Sequence, residues 1–445
     1  MPATQLWLAA FAQALADEVL QPLAGMNAIE KQLVEAIPRI HARLAKELPS
    51  TERRGGLAQL MRMPTAMAEA QVQDALVGLK GVAQNGQKIL GGYLMACIAM
   101  ARQRSRRLDD PKGHKFPGSW TLEAPEDLLG LMPTRAIRYS PGQKLGSYTL
   151  LRLLGADSAG ECWKATRTGP ENTDLQAGAH GGDDEELEGT PPVTVRVILK
   201  ESVVERVRLA KTSLRELADA EMGAGMARLH RVKFAEHGAL LVWDYVEGVP
   251  FHGGQALWEL PDGRLDAPRL ARWIRRTAQA LVPLHSLPAP QAHGGLCPAS
   301  IHFTQSDGKW RIRVLDIGWA AIDIERHLRL DSQLAMRRLV RALKHHGAWR
   351  PLYASPLLAK GQSNQPADDI FALGLIWYQG VMGSWELAAP VSLNWLDRAL
   401  DRGLSSGHGR ILSRCLSPDL SRRFTTASEL VEELLVLETE KEDRG

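Results

Sequence analysis

The chain has 445 residues, 44% of them hydrophobic and 24% charged, with a formal net charge of +3. That is enough apolar material for one large core and more readily for two unequal ones, which excludes a disordered or fibrous chain. A charge so near balance does not by itself point to nucleic acid, which is usually gripped by a concentrated basic surface, so no nucleic-acid partner is expected.

The first 20 residues, MPATQLWLAAFAQALADEVL, lack a basic leader and carry acidic residues early, so they read as an amphipathic helix and not as a signal peptide. Four widely spaced cysteines form no zinc-binding pattern and fit a reducing compartment; the expected location is cytoplasmic. Through residue 107 the apolar positions recur at helical spacing: Leu6, Ala10, Phe11 and Leu15, then Ile29, Leu33, Ile37, Ile40, Leu44 and Leu48. Such stripes, broken near residues 23–27 and 49–56, predict an all-α helical bundle over 1–107 in which Pro38 kinks the second helix. Its last helix, within residues 86–107, is too short in apolar length to span a bilayer and ends in Arg102, Arg104, Arg106 and Arg107. The expectation is a buried helix with a cationic end complementing its dipole; docking on a membrane surface or a partner is the alternative.

Residues 108–146 are rich in Pro and Gly and read as a linker, with one short helical stretch at APEDLLGLM. From Tyr148 the texture changes to strands: YTLLRLL, GECWKAT and VTVRVIL predict a small antiparallel sheet. Residues 169–192, between the second and third strands, carry seven acidic residues and no basic ones, and are expected to be a disordered hairpin insertion. Beyond about residue 265 the pattern is mainly helical, giving an α+β chain.

Seven strings in order, from PGQKLGSYTLLRLLGADSAGECWKAT through LVWDYVEG, HGGLCPASI, LDIGWA, YASPLL and DDIFALGLIWYQGVMG to CLSPDLSRRF, resemble bacterial eukaryotic-like Ser/Thr protein kinases over about residues 141–438. The resemblance implies a two-lobed protein-kinase-like fold over 147–438, with an N-lobe at 147–248, a C-lobe at 249–438 and a tail at 439–445. It also implies a nucleotide cleft between the lobes, without settling activity.

Residue by residue, the kinase chemistry thins out. Of the Gly-rich loop, Gly155 and Gly160 remain, but Asp157 stands at the middle glycine. A carboxylate about 5 Å from a phosphate charge costs about 3 kcal/mol at an effective dielectric near 20. The third-strand lysine position holds Arg196, a longer, planar cation, with Glu221 as its expected partner and Glu216 as second choice. Trp243 falls at the back of the adenine pocket, with Asp244 to Val246 as the hinge. In the catalytic loop His293 stays, Gly294 replaces arginine, Gly295 replaces the catalytic aspartate, Cys297 the lysine and Ser300 the metal-binding asparagine. Glycine has no side chain to accept a proton, so no catalytic residue is expected.

Asp316 and Gly318 survive in LDIGWA, with Ile317 where the family has phenylalanine. Asp316 could hold Mg²⁺ only with help from Ser300 and substrate phosphates; otherwise it anchors the turn. Leu357 stands where a glutamate usually pairs with the arginine at Arg423, whereas Asp369 matches the aspartate that braces the catalytic loop. Between Asp331 and Gly347 an amphipathic helix is expected, its face of Arg337, Arg338, Arg341 and Lys344 either solvated or a docking surface for an acidic partner or for the chain's own acidic stretch at residues 183–188. The expectation is a catalytically inactive kinase-like protein, a pseudokinase, that requires no cofactor and binds a protein partner. The alternative is a degenerate but active ATP- and Mg²⁺-dependent kinase or related transferase.

Overall fold

A computed structural model of the protein describes residues 3–24, a broken run between 36 and 60, then 63–104, 137–156, 159–168, 191–235, 238–322, and 351–442 apart from 361, 386 and 393. Outside these fall Pro38, the linker stretch at 124–132, Arg106 and Arg107, Asp157, most of the acidic insertion, and the basic face of Arg337, Arg338, Arg341 and Lys344.

Helix α1 (Ala3–Ala24) packs with α2 (Thr65–Val77) and α3 (Gln84–Arg104) around a core that includes Trp7, Leu8, Phe11, Leu15, Val72, Leu90, Tyr93, Leu94 and Ile98. The inward stripe of α1 differs from the expected one. Leu6 is 39% exposed, and the face turns instead on Trp7 and Phe11, one helical turn apart with rings stacked at 5.2 Å. Two aromatics bury more surface than the Leu6 side chain would, and they set the rotation of the helix. Arg102, at the cationic end of α3, turns inward to donate to the carbonyls of Leu60 and Met63 at 2.6 and 2.7 Å. Among the described residues no helix is long and apolar enough to cross a membrane.

The sheet is larger than the three strands the sequence suggested. Strands β1 (Lys144–Leu145), β2 (Tyr148–Ala156), β3 (Gly160–Arg167), β4 (Val193–Ile198), β5 (Leu229–Ala235) and β6 (Gly238–Asp244) form one antiparallel sheet in the order β1-β2-β3-β4-β6-β5. Because β1 already pairs with β2 at Lys144 and Leu145, ordered structure starts ahead of the expected linker boundary. The outer sheet face packs Leu150, Trp163, Val195 and Val242, with Ile137 and Tyr139 laid against them.

On the inner face lie α4 (Glu201–Leu209) and α5 (Lys211–Asp219), which bury Val203, Val204, Val207, Leu214 and Leu217. After β6 the chain forms a second sheet of β7 (Val249–Pro250), β8 (Ile301–Ser306) and β9 (Lys309–Val314). Asp307 and Gly308, both at positive φ, close the β8–β9 hairpin as a two-residue turn requires. The rest is helical: α6 (Ala267–His285), the single turn α7 (Trp319–Ile322), α8 (Pro366–Met382), α9 (Trp395–Asp401), α10 (Ser406–Cys415) and α11 (Ala427–Glu442). The last helix passes residue 438, where the sequence places the tail, because the Glu- and Lys-rich end favours helix.

Helix α8 is buried on nearly every side and stops at Gly383, which adopts the left-handed conformation. One core runs without a break from Ile198 and Leu241 on the sheet, through Trp243, Ile317 and Trp319, to Ile370 and Leu430 in the helices. The α+β class holds.

Candidate functional site

The segment from His293 to Ser300 is held from below by a single carboxylate. Asp369, 2% exposed on the first turn of α8, accepts the His293 amide at 2.6 Å, the Gly294 amide at 3.1 Å and His285 Nε2–H at 3.0 Å. The tautomer of His285 follows from its other side, where Nδ1 accepts the Ala427 amide. His293 is fixed in the same way: Nδ1 accepts the Gly295 amide, so Nε2–H donates to the Leu315 carbonyl at 2.5 Å. A buried carboxylate with three donors is thus the post on which the loop and the turn before Asp316 both hang.

Gly294 stands at φ +70, and a Cβ there would come within 2.6–2.7 Å of Ala320, two of the atoms being backbone. Helix α7 therefore presses on the loop, and only glycine fits at 294. Gly295 offers a backbone amide and no side chain. Ser300 is fully buried and committed inward: its Oγ accepts the Cys297 amide and donates to the carbonyl of Cys297 at 3.0 Å or Gly295 at 3.3 Å. The hydroxyl expected to help hold a metal thus closes a turn of its own loop.

Asp316 is half-buried at φ +64, a rare conformation for a residue with a side chain, and leads into Ile317 and Gly318. The turn is fastened from above by Trp243, whose indole N–H donates to the Ile317 carbonyl at 3.1 Å. Trp243 and Trp319 lie with ring centroids 6.2 Å apart, and the Arg196 guanidinium sits 5.7 Å from the Trp319 ring. Arg196 is 6% exposed, so its charge rests against an aromatic face at the back of the cleft. Its expected carboxylate does not come with it. Glu221 lies beyond the end of α5 and Glu216 on the helix's outer side; both are exposed, and among the described residues no ion pair joins either to Arg196. The reason is the face of α5: Leu214 and Leu217 point inward to the core, which turns Glu216 out.

Between the sheet and the loop is a cavity of about 120 Å³ lined by Leu154, Gly155, Cys162, Arg196, Trp243, Val246, His302, Asp316, Trp319 and, from the helical bundle, Met100. Among the described residues no cluster of three His, Cys, Asp or Glu side chains could hold a metal.

The two glycines of the expected phosphate loop have packing reasons of their own. A Cβ on Gly160 would lie 1.8 Å from the Val197 carbonyl oxygen, and one on Gly155 would lie 2.9 Å from Met100 Cγ. Neither contact involves an open loop waiting for phosphate.

The segment expected as a hinge begins at a carboxylate with three donors. Asp244 accepts from His230 Nε2 at 2.7 Å, from the Arg228 amide at 3.0 Å and from Arg313 at 3.0 Å. Burial alone would raise its pKa, but His230, the Arg228 amide and Arg313 together hold it below the usual carboxylate value.

Arg423, 2% exposed, has no glutamate at 357 to meet. It donates to the Ala367 carbonyl at 3.1 Å and lies 3.5 Å from Asp368, which also accepts Ser355 Oγ–H at 2.5 Å. Burial pushes the Asp368 carboxyl above its ordinary value despite these partners. The Asp368–Asp369 pair thus divides its work, one carboxylate to the arginine and one to the loop. Sequence reasoning missed Asp368, Trp319, His302 and Met100. The doubled aspartate and the tryptophan directly after Gly318 were readable signals for the first two; Met100 and His302 gave none.

No protein-family model matches the chain, and no curated protein matches it. Among solved structures, a chain titled "PpkA-294 apo form" is similar over 67% of this chain and 99% of its own, at 14% identity and a TM-score of 0.46.

Proposed function

We propose that this chain is a catalytically inactive kinase-like protein that works by binding a protein partner. The observation that carries this reading is the loop from His293 to Ser300. It is braced by Asp369 as a catalytic loop would be, yet at position 295 it presents only backbone, and at 294 it is pressed against Ala320. A proton acceptor within reach of a substrate hydroxyl is the minimum for phosphoryl transfer to protein, and glycine supplies none. Arg196 set against Trp319 supports the same reading.

The partner is acidic and is met by Arg337, Arg338, Arg341 and Lys344, whose attraction would weaken as salt is raised. The test is transfer from labelled Mg·ATP to the chain itself and to a generic protein substrate. No transfer above background is expected. Transfer that Asp316→Ala abolishes would overturn the reading and establish instead a kinase or transferase that uses Asp316 to hold the metal.

A further inference from the structure

We propose that helix α3 is an intramolecular gate, with Met100 as a plug that closes the cleft between the sheet and the His293–Ser300 loop. The inference rests on the reading that this cleft is the kinase-like site, and it adds the means by which the helical bundle controls access.

Helix α3 is apolar almost all round because it is buried on two sides. One side, with Leu90, Tyr93, Leu94, Cys97 and Ile98, belongs to the core of the bundle. The positions Gly92, Ala96 and Met100, spaced four apart, make a second stripe. A Cβ on Gly92 would sit 3.4 Å from Ile137, Ala96 is fully buried, and Met100 packs at Gly155 while lining the cavity. Helix α3 lies against β2 and also against β7, which follows the hinge, so it crosses the mouth of the cleft from one wall to the other. Small residues let the helix approach, and an unbranched thioether with three rotatable bonds fills the gap left by Gly155.

Arg102, one half-turn beyond Met100, ties this end of the helix back to the bundle through the carbonyls of Leu60 and Met63. Arg152 on β2 reaches across to the hinge, donating to the Tyr245 hydroxyl at 3.0 Å. The plug itself is one flexible side chain, so a small shift of the helix suffices to clear the cavity wall. A partner that pulls on the bundle would open the cleft.

Cys162 faces this cavity, whereas Cys97, Cys297 and Cys415 are 1%, 5% and 0% exposed. Burial pushes the Cys415 thiol up to about 12 and the Cys97 thiol higher still, so both stay unreactive while the fold is intact. The experiment is the labelling rate of each cysteine in the full chain with a bulky maleimide, followed by peptide mass. Met100→Ala should raise the Cys162 rate at least tenfold and leave the other three protected; a Cys162 rate within twofold of the wild type overturns the proposal. Where Met100→Ala exposes all four thiols, Gly155→Ala decides, since its Cβ must displace Met100 while every side chain of the bundle core is kept. Selective exposure of Cys162 in that variant supports the gate. Unchanged or fourfold exposure there makes Met100 an ordinary core residue. None of these rates depends on phosphoryl transfer, so an active enzyme would overturn the functional reading without touching the gate.

Discussion

Replacing Asp369 with alanine should be among the most damaging single changes in the chain. The carboxylate is 2% exposed and receives three donors: the amides of His293 and Gly294, and His285 Nε2–H. Alanine leaves all three buried without an acceptor, at about 1–3 kcal/mol each. Such losses do not add fully, because the loop can shift to recover part of them, so the expected cost is about 3–5 kcal/mol. For a chain of this size that is a fall in melting temperature of roughly 6–10 °C. Asparagine keeps one acceptor oxygen but turns an amide N–H toward a donor, and should fall between wild type and alanine. Thermal melts of the three proteins, with amide exchange read at His293 and Gly294, test the reasoning. A fall under 2 °C for Asp369→Ala with both amides still protected would refute it, since an exposed pair worth under about 1 kcal/mol would behave that way.

Other outcomes follow from the same geometry. Gly294→Ala should lower stability by about 2–4 kcal/mol, from a strained positive φ plus collision with the Ala320 backbone, and urea unfolding would measure it. Arg423→Ala should cost about 3–5 kcal/mol by stranding the buried Asp368, while Arg423→Met combined with Asp368→Leu should recover much of that loss in the same assay. Asp244 has its pKa lowered in the folded chain, so its contribution to stability is present above the ordinary carboxylate pKa and is lost as pH falls through the lowered value. The deficit of Asp244→Asn relative to wild type should therefore be full at pH 7 and shrink toward pH 3, as melts across that range would show. Gly295→Asp alone should not create phosphoryl transfer, because helix α7 still presses on the loop at Gly294 and Arg196 stays on Trp319, and an assay with labelled Mg·ATP would check it.

What the sequence disclosed, and what it hid, divides along the reach of each interaction. The strands from Tyr148 to Ile198 were legible because alternation is a local signal, and Asp369 was legible because its role is fixed by position within one string. The absence of a side chain at 295 needs no structure at all. Arg196 and Glu221 could not be paired correctly from spacing, because the outcome depends on which face of Lys211–Asp219 turns inward, and Leu214 and Leu217 decided that. Met100 at Gly155 was hidden for a deeper reason: the contact joins two separately encoded units, and nothing near either residue marks it.

Gly155 and Gly160 make the wider point. Read as a string, they are the remains of a phosphate-binding loop; read in space, Gly160 exists because the Val197 carbonyl leaves no room for a Cβ, and Gly155 because Met100 occupies that room. The same holds for Gly294 beneath Ala320 and for Asp369 beneath the loop. Gly155, Gly160, Gly294 and Asp369 are thus each tied down by a packing or hydrogen-bond demand that operates without nucleotide, and Ser300 by the turn it closes in its own loop, so a string match at these positions reports the shape of the backbone before it reports any chemistry.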